Sequence, residues 1–270
     1  MGAMSLAQRF AELRVRAGAI ACAWLGQAGY LMKTHGGLTV MIDPYFSDEG
    51  EKREGLKRLF APPITANELQ PDVLLVSHGH LDHLDEPTIR TFASAGHTTL
   101  IAPPSCTSRA SGWGWRASRL RSLQPGESAK KGGCKVTATF ARHTLPDAIG
   151  LLVTIDGIRL WHSGDTEYDE HLRPLAANKL DVAFLCINGG GGNMNAHEAA
   201  LLAWQLKPRV AVPMHYGMWS PEDYRYGGAA PGATPDPALF ASTLARLNPR
   251  IRVRELEVGR PVTFRLRPRP

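Results

Sequence analysis

The sequence predicts an α+β domain in which two β-sheets pack face to face, helices cover the outside, and a site lies along one edge. Three observations carry that reading. Strand-like runs dominate both halves of the chain, helical stretches separate them, and His or Asp follows strand ends in each half. At 270 residues the chain can bury a sizeable core, and residues 1–270 are read as a single domain. Hydrophobic residues at 43% and charged residues at 21% are ordinary for a globular protein and exclude a disordered one.

The elements follow in order. Leu6 to Arg16 suits a short helix. The runs AIACAW, GYLMK and LTVMI, separated by Gly-containing turns, predict a three-stranded meander. From Asp43 to Pro71 the chain is polar and proline-punctuated, without a strand pattern, and it is long for a structureless loop, so it reads as either disordered or functional. DVLLVS is a strand that runs into a histidine-rich loop. Glu86 to Ser94 is helical, entered through Asp85 as cap with Pro87 in its first turn. TTLIA and KVTATFA are strands, and GLLVTI and IRLWH flank Asp156-Gly157, the signal of a two-residue hairpin. DVAFLCIN is apolar throughout and predicts a buried strand. Asn195 and Glu198 have the spacing of a capping box on the helix that follows. RVAVPM is a strand ending at His215. A Gly/Pro-rich loop over 217–237, a helix over 238–247 and two strands complete the chain.

Charge and cysteines narrow the class. The net charge of +6 is mild and is concentrated near the C-terminus, in RIRVRELEVGR and FRLRPRP. No aromatic residues interleave there, so the pattern fits a solvated edge strand and tail and argues against a nucleic-acid partner. Cys22, Cys106, Cys134 and Cys186 form no C-x-x-C pair, which suits a reducing compartment and a cytoplasmic location. The apolar run in RVRAGAIACAWLG is short and continues into strands, so it reads as a strand rather than a signal peptide. No stretch has membrane-spanning length. A homo-oligomer is compatible with all of this.

The chemistry concentrates in LLVSHGHLDHLD, residues 74–85. The spacing H-x-H-x-D-H gives His78, His80, Asp82 and His83 on one loop leaving a strand, where such ligands can face two adjacent cations. Nitrogen and oxygen donors without cysteine suit Zn²⁺, Mn²⁺ or Fe²⁺ rather than a structural thiolate zinc. His143, Asp165 and His215 stand at later strand ends and are candidates to complete the shells. His162 reads as a core histidine. His35, His97 and His171 read as surface residues and His197 as a helical one.

SHGHLDH, the isolated His143, SGDT and PMH, in that order from about Trp24 to Trp219, resemble the metallo-β-lactamase superfamily. The resemblance implies a four-layer αβ/βα sandwich with a dinuclear site at one edge. It places His78, His80 and His143 on the first metal, Asp82, His83 and His215 on the second, and Asp165 between them. Asp43, in MIDP, would be a carboxylate that orients a ligand; a turn-initiating Asp before Pro44 is the other reading. WLGQAGYLMK, VMIDPYFSD, INGGGGNMNAHEAA and KPRVAVPMHYGMW look like the branch containing the L-ascorbate-6-phosphate lactonases. In that branch the variable positions of the histidine motif are Asp and Asn, whereas this chain has Gly79 and Leu81.

The expected activity is hydrolysis of a small anionic ester or lactone, with two divalent cations, Mn²⁺ or Zn²⁺ ahead of Fe²⁺, sharing an ionised water as nucleophile. Asp82 is the candidate to manage the proton. A phosphodiesterase or nuclease of the same superfamily, or a non-catalytic metal-binding scaffold, are the rival classes. Candidate substrate contacts are Arg53 and Lys57 in GEKREGLKRLFAPP, Trp219, and Asn188 at the head of a glycine run. The first pair would form a lid that grips an anion or, alternatively, belong to a solvated helical turn. The glycines would present backbone N–H groups to an anion or serve as a connector.

Overall fold

A computed structural model describes residues 4–94, 96–219 and 236–265. Two seven-stranded sheets form the body of the protein. In the first, β1 (Ala19–Gly26), β2 (Gly29–Thr34) and β3 (Thr39–Ile42) make the antiparallel meander expected from the sequence. The sheet then continues in parallel through β4 (Val73–Leu75), β5 (Thr99–Ala102) and β6 (Leu120–Ser122). The second sheet runs antiparallel through β7 (Ser128–Lys131), β8 (Cys134–Phe140), β9 (Ile149–Ile155) and β10 (Ile158–His162). It too continues in parallel, through β11 (Val182–Cys186), β12 (Val210–Met214) and β13 (Arg252–Val253). The last strand, β14 (Val262–Arg265), returns to pair with β1. The two sheets thus share one plan, a meander extended by parallel strands, although the sequence shows no repeat.

The α-helices among the described residues are α1 (Leu6–Glu12), α2 (Glu49–Glu54), α3 (Glu86–Ser94), α4 (Pro104–Gly112), α5 (Ala196–Leu206) and α6 (Pro237–Leu247). Strand periodicity decides what each residue buries. On β1, Ile20, Cys22 and Trp24 face the core shared by the two sheets, while Ala23 and Leu25 face the cluster beneath α1, α3 and α4. Tyr30 and Met32 against Leu31, and Val40 and Ile42 against Met41, repeat the alternation on β2 and β3. Both faces of the sheet are therefore dry, which is why these strands read as unbroken apolar runs. All four cysteines are unpaired and buried. Among the described residues no helix is long and apolar enough to cross a membrane.

Local signals held where backbone chemistry is specific. Asp156 and Gly157 take φ of 48° and 79°, as a two-residue hairpin requires. Asn195 and Glu198 close a capping box on α5. Asp85 stands at the expected cap position, with its main-chain oxygen accepting Ile89 N, but its side chain bonds elsewhere. Its carboxylate accepts the N–H groups of Phe46 and Ser47 and the hydroxyls of Ser47 and Thr88, fastening the loop after β3 to the histidine loop. The helix expected to reach Arg16 ends at Glu12, and α4, with a polar and weakly periodic sequence, was not expected at all. The expected loop over 217–237 is described only at its two ends, 217–219 and 236–237.

Gly164, between β10 and the site, tests the tightness of this edge. Its φ is 58°, and an added Cβ would lie 2.9 Å from both Ile149 O and Ser77 Cβ. Gly164→Ala is expected to lose about 2–4 kcal/mol of stability, combining left-handed strain with overpacking. Gly37→Ala, at a φ of 86° with open space around it, should lose only the strain part, about 1–2 kcal/mol. Urea denaturation of both variants checks the difference.

Candidate metal centre

Parallel strands place their C-terminal loops on one edge, and both sheets contribute there. The register Ile42↔Leu75 sets Asp43, after β3, beside the start of the histidine loop after β4. From the second sheet come His143 after β8, Asp165 after β10 and His215 after β12. His78, Asp82, His83, Asp165 and His215 are buried, and His80 and His143 are half-buried.

These side chains form two trios joined by Asp165. In the first, His80 Nδ1 lies 3.0 Å from His78 Nε2 and 3.1 Å from His143 Nε2. In the second, His215 Nε2 lies 3.3 Å from His83 Nε2 and 3.3 Å from Asp82 Oδ2. Asp165 reaches both: Oδ1 is 3.4 Å from His83 Nε2, and Oδ2 is 3.2 Å from His215 Nε2 and 4.0 Å from His78 Nε2.

Hydrogen bonds on the far side of three of the rings fix what faces inward. Gly192 O can only accept, so His143 donates from Nδ1 and turns the lone pair of Nε2 to the trio. His83 Nδ1 lies 2.8 Å from Asp43 Oδ2 and likewise donates. Ser77 spends its one hydroxyl proton on Asp43 Oδ2, so it accepts from His78 Nδ1. Three imidazoles are thereby set with Nε2 toward the centre, the arrangement that metal-binding histidines require. Asp165 Oδ1, buried without a hydrogen-bond partner, adds an unsatisfied acceptor. A set of imidazoles and carboxylates with converging lone pairs fits divalent cations of the Zn²⁺ and Mn²⁺ kind.

Electrostatics separates the trios. Burial lowers the pKa of His78 well below the ordinary value and lowers that of His80, with neighbouring imidazoles adding to the effect at both, so these rings are neutral at pH 7. Burial would also lower His83 and His215, but the carboxylates override it. Asp165, Asp82 and Asp43 hold His83 well above its usual range, and Asp165 and Asp82 raise His215 to about 9. Conversely, burial would raise Asp82 and Asp165, and His83 and His215 instead bring both below the usual carboxylate range. In the metal-free protein, protons on the second trio supply the positive charge that its two carboxylates demand. Asp43 and His215 also hold φ of 42° and 64°, strained values for residues with a Cβ.

The expected substrate contacts fare differently. Arg53 is shared between Glu49, at 2.6 Å, and Glu86, at 3.7 Å. Lys57 is exposed. The adjacent Arg58 packs inward, with both Nη atoms on Tyr45 O and its guanidinium 4.4 Å from the Tyr45 ring centroid. The segment is pinned by Gly50 N to Tyr45 Oη and by Leu59 N to Met218 O. Trp219 is buried with Tyr45 and Met218, and Leu81 packs against them. Asn188 is buried, and its side chain bonds Gly190 O and Asn193 Nδ2. Its loop closes on itself, through Gly189 N to Met194 O. His162 is the satisfied core histidine expected, bonded to Ala28 O and Gly164 N, and His197 bonds Thr243 away from the trios.

Ser77, Gln27 and Asn193 were not identified from the sequence, and Gly192, expected to offer its N–H to an anion, instead presents its carbonyl oxygen to His143. Gln27 donates to Asp82 Oδ2 at 3.0 Å and Asn193 to Asp165 Oδ2 at 2.7 Å. Their sole sequence signal is position beside a strand end. A Ser, Gln or Asn there is too common to single out.

Because the raised His215 pKa favours the folded state only while the ring is protonated, its contribution is complete below about pH 6.5 and is lost as pH rises through about 9. Metal-free protein is expected to lose urea stability across that window. His215→Asn should flatten the dependence.

Comparisons with known proteins converge on one family. Residues 39–216 match the model of the Beta-lactamase superfamily domain. A UPF0173 metal-dependent hydrolase from Methanobrevibacter smithii is 30% identical over 250 residues, covering 87% of this chain and 93% of that protein. A UPF0173 protein of Pyrococcus furiosus is 31% identical over 206 residues, covering 75% and 87%. Igni18, a metallo hydrolase from Ignicoccus hospitalis, superposes with a TM-score of 0.69 at 21% identity, covering 92% of this chain and all of the other. The chain belongs to the UPF0173 family of metal-dependent hydrolases, within the metallo-β-lactamase superfamily.

Proposed function

We propose that this protein is a dinuclear metal-dependent hydrolase of a small ester or lactone. The observation that carries the reading is the convergence of two ligand trios on a shared Asp165. His78, His80 and His143 would hold one cation, Asp82, His83 and His215 the other, and Asp165 would serve both. Mn²⁺ and Zn²⁺ suit five imidazoles and two carboxylates. When bound, two such cations supply a water of lowered pKa and a Lewis acid for the substrate oxygen.

The chain's own residues do the rest. Asp43, Ser77 and Gly192 O keep the rings turned inward. Asp82, held ionised beside His215 and Gln27, would pass a proton on rather than retain it. Tyr45, Leu81, Met218 and Trp219 form an apolar wall that limits water on the Asp82 side. The ester or lactone class is supported by the likeness of WLGQAGYLMK and KPRVAVPMHYGMW to the lactonase branch. An anionic substituent is supported by the exposed Lys57 that follows α2.

Protein purified without added metal is expected to bind about two ions per chain on titration with Mn²⁺ or Zn²⁺, by elemental analysis. Chelation should abolish hydrolysis of a lactone and ester panel, and readdition should restore it. A one-ion stoichiometry with full activity, or turnover confined to phosphodiesters, would overturn the proposal. Asp165→Asn should stay folded yet lose about 10–100-fold in metal affinity, with a parallel fall in rate. The rate of the loaded wild type should rise over roughly pH 6 to 8 as the water ionises. A flat profile would count against that nucleophile.

A further inference from the structure

Gln27 occupies the turn between β1 and β2 and is fully buried, with a φ of 51°. Left-handed backbone is uncommon for a residue with a long side chain, and Gly or Asn would serve such a turn better. Two bonds at its backbone oxygen, from Trp24 Nε1 at 2.9 Å and His215 N at 3.0 Å, need no particular side chain. What glutamine adds is reach: Nε2 extends to Asp82 Oδ2, the oxygen that faces His215 and His83. Asn193, from the second sheet, does the same for Asp165. Its Nδ2 donates to Asp165 Oδ2 at 2.7 Å while held by Asn188 Oδ1 at 3.0 Å.

The two carboxylates of the centre are therefore each gripped by one neutral amide, from opposite sheets. An amide donor fixes a carboxylate's rotation without cancelling its charge, whereas Arg or Lys would cancel it. Gln27 Oε1 and Asn193 Oδ1 are both buried without a hydrogen-bond partner. Orphaned acceptors disfavour folding, so folding alone gives no reason to place amides here.

We propose that Gln27 and Asn193 are a matched pair of positioning residues, which turn Asp82 and Asp165 toward the cations and leave the negative charge of both available. The inference rests on the two-cation reading above. It assigns the amides unequal reach. Gln27 acts through Asp82 on the second trio alone. Asn193 acts through Asp165, which borders both trios.

The test uses Co²⁺ as the probe ion, titrated into metal-free full-length protein against a chromogenic chelator. The two steps are assigned with His143→Ala and His215→Ala. Gln27→Asn keeps a residue that tolerates the left-handed turn, with the same backbone bonds, and shortens only the reach. It is expected to weaken the second-trio step by about tenfold or more and to change the visible absorption of that Co²⁺, leaving the first-trio step within about twofold. Asn193→Leu, close in size but without a donor, is expected to weaken both steps. Unchanged affinities and spectra in both variants would overturn the positioning role while leaving two-cation binding intact. So would an equal loss in both steps of Gln27→Asn accompanied by a lower melting temperature, which would mark a merely structural turn. A wild type that takes up no Co²⁺ would overturn both this inference and the reading beneath it.

Discussion

The Asp43 carboxylate is the group on which the centre depends. It is fully buried, and a buried charge is tolerated only when it is paired and hydrogen-bonded. Asp43 receives Ser77 N at 2.8 Å, Ser77 Oγ at 2.6 Å and His83 Nδ1 at 2.8 Å. Through His83 it orients a ring of the second trio, and through Ser77 it orients His78 in the first. One side chain at the end of β3 thus sets imidazoles in both trios. It can do so because β3 and β4 pair in parallel, with Asp43 N bonded to Leu75 O at 3.0 Å. The strained φ at Asp43 is maintained by these bonds, which over-determine its position.

The rest of the sandwich brings the second sheet to this fixed point. Four of the seven candidate ligands ride on one loop, but His143, Asp165 and His215 leave three different strands of the other sheet. Their separation from the loop is set by the core between the sheets, where Trp24, Tyr30, Ile42, Trp161 and Phe184 interdigitate. Gly164 lets the chain after β10 come against Ser77 without a side chain between them. The geometry of the centre is therefore a property of sheet packing as much as of the histidine loop.

The fold, and the candidate ligands that the fold brings together, were legible in the sequence because both rest on strong local signals. Apolar runs bounded by turn residues marked the strands, Asp156-Gly157 marked a hairpin, and H-x-H-x-D-H has few uses other than metal binding. Three kinds of feature were not legible. Asp85 stands where a helix cap was expected, since Asp before Glu-Pro suits that role, but for its side chain tertiary bonds to Phe46 and Ser47 took precedence. Arg53 looked like an anion contact because the sequence shows charge but not partners, and Glu86 reaches it from α3, distant in the chain. Gln27, Ser77 and Asn193 act through hydrogen bonds whose partners lie far off in sequence, at strand ends that come together only after the sheets have packed.

The same distances make the two trios chemically unequal. The first contains three imidazoles and no carboxylate of its own, so His78 and His80 stay neutral under burial and can meet a cation without shedding protons. The second places Asp82 and Asp165 against His83 and His215, and the metal-free protein answers that negative charge with protons. On the two-cation proposal, a cation entering there would gain the stronger Coulomb attraction but would first have to displace those protons, so its apparent affinity would rise with pH while that of the first trio would depend on pH far less. Asp165 stands between the trios, and a cation in either one changes the charge that the other meets. On the two-cation proposal, loading of the two positions would be coupled through that one carboxylate.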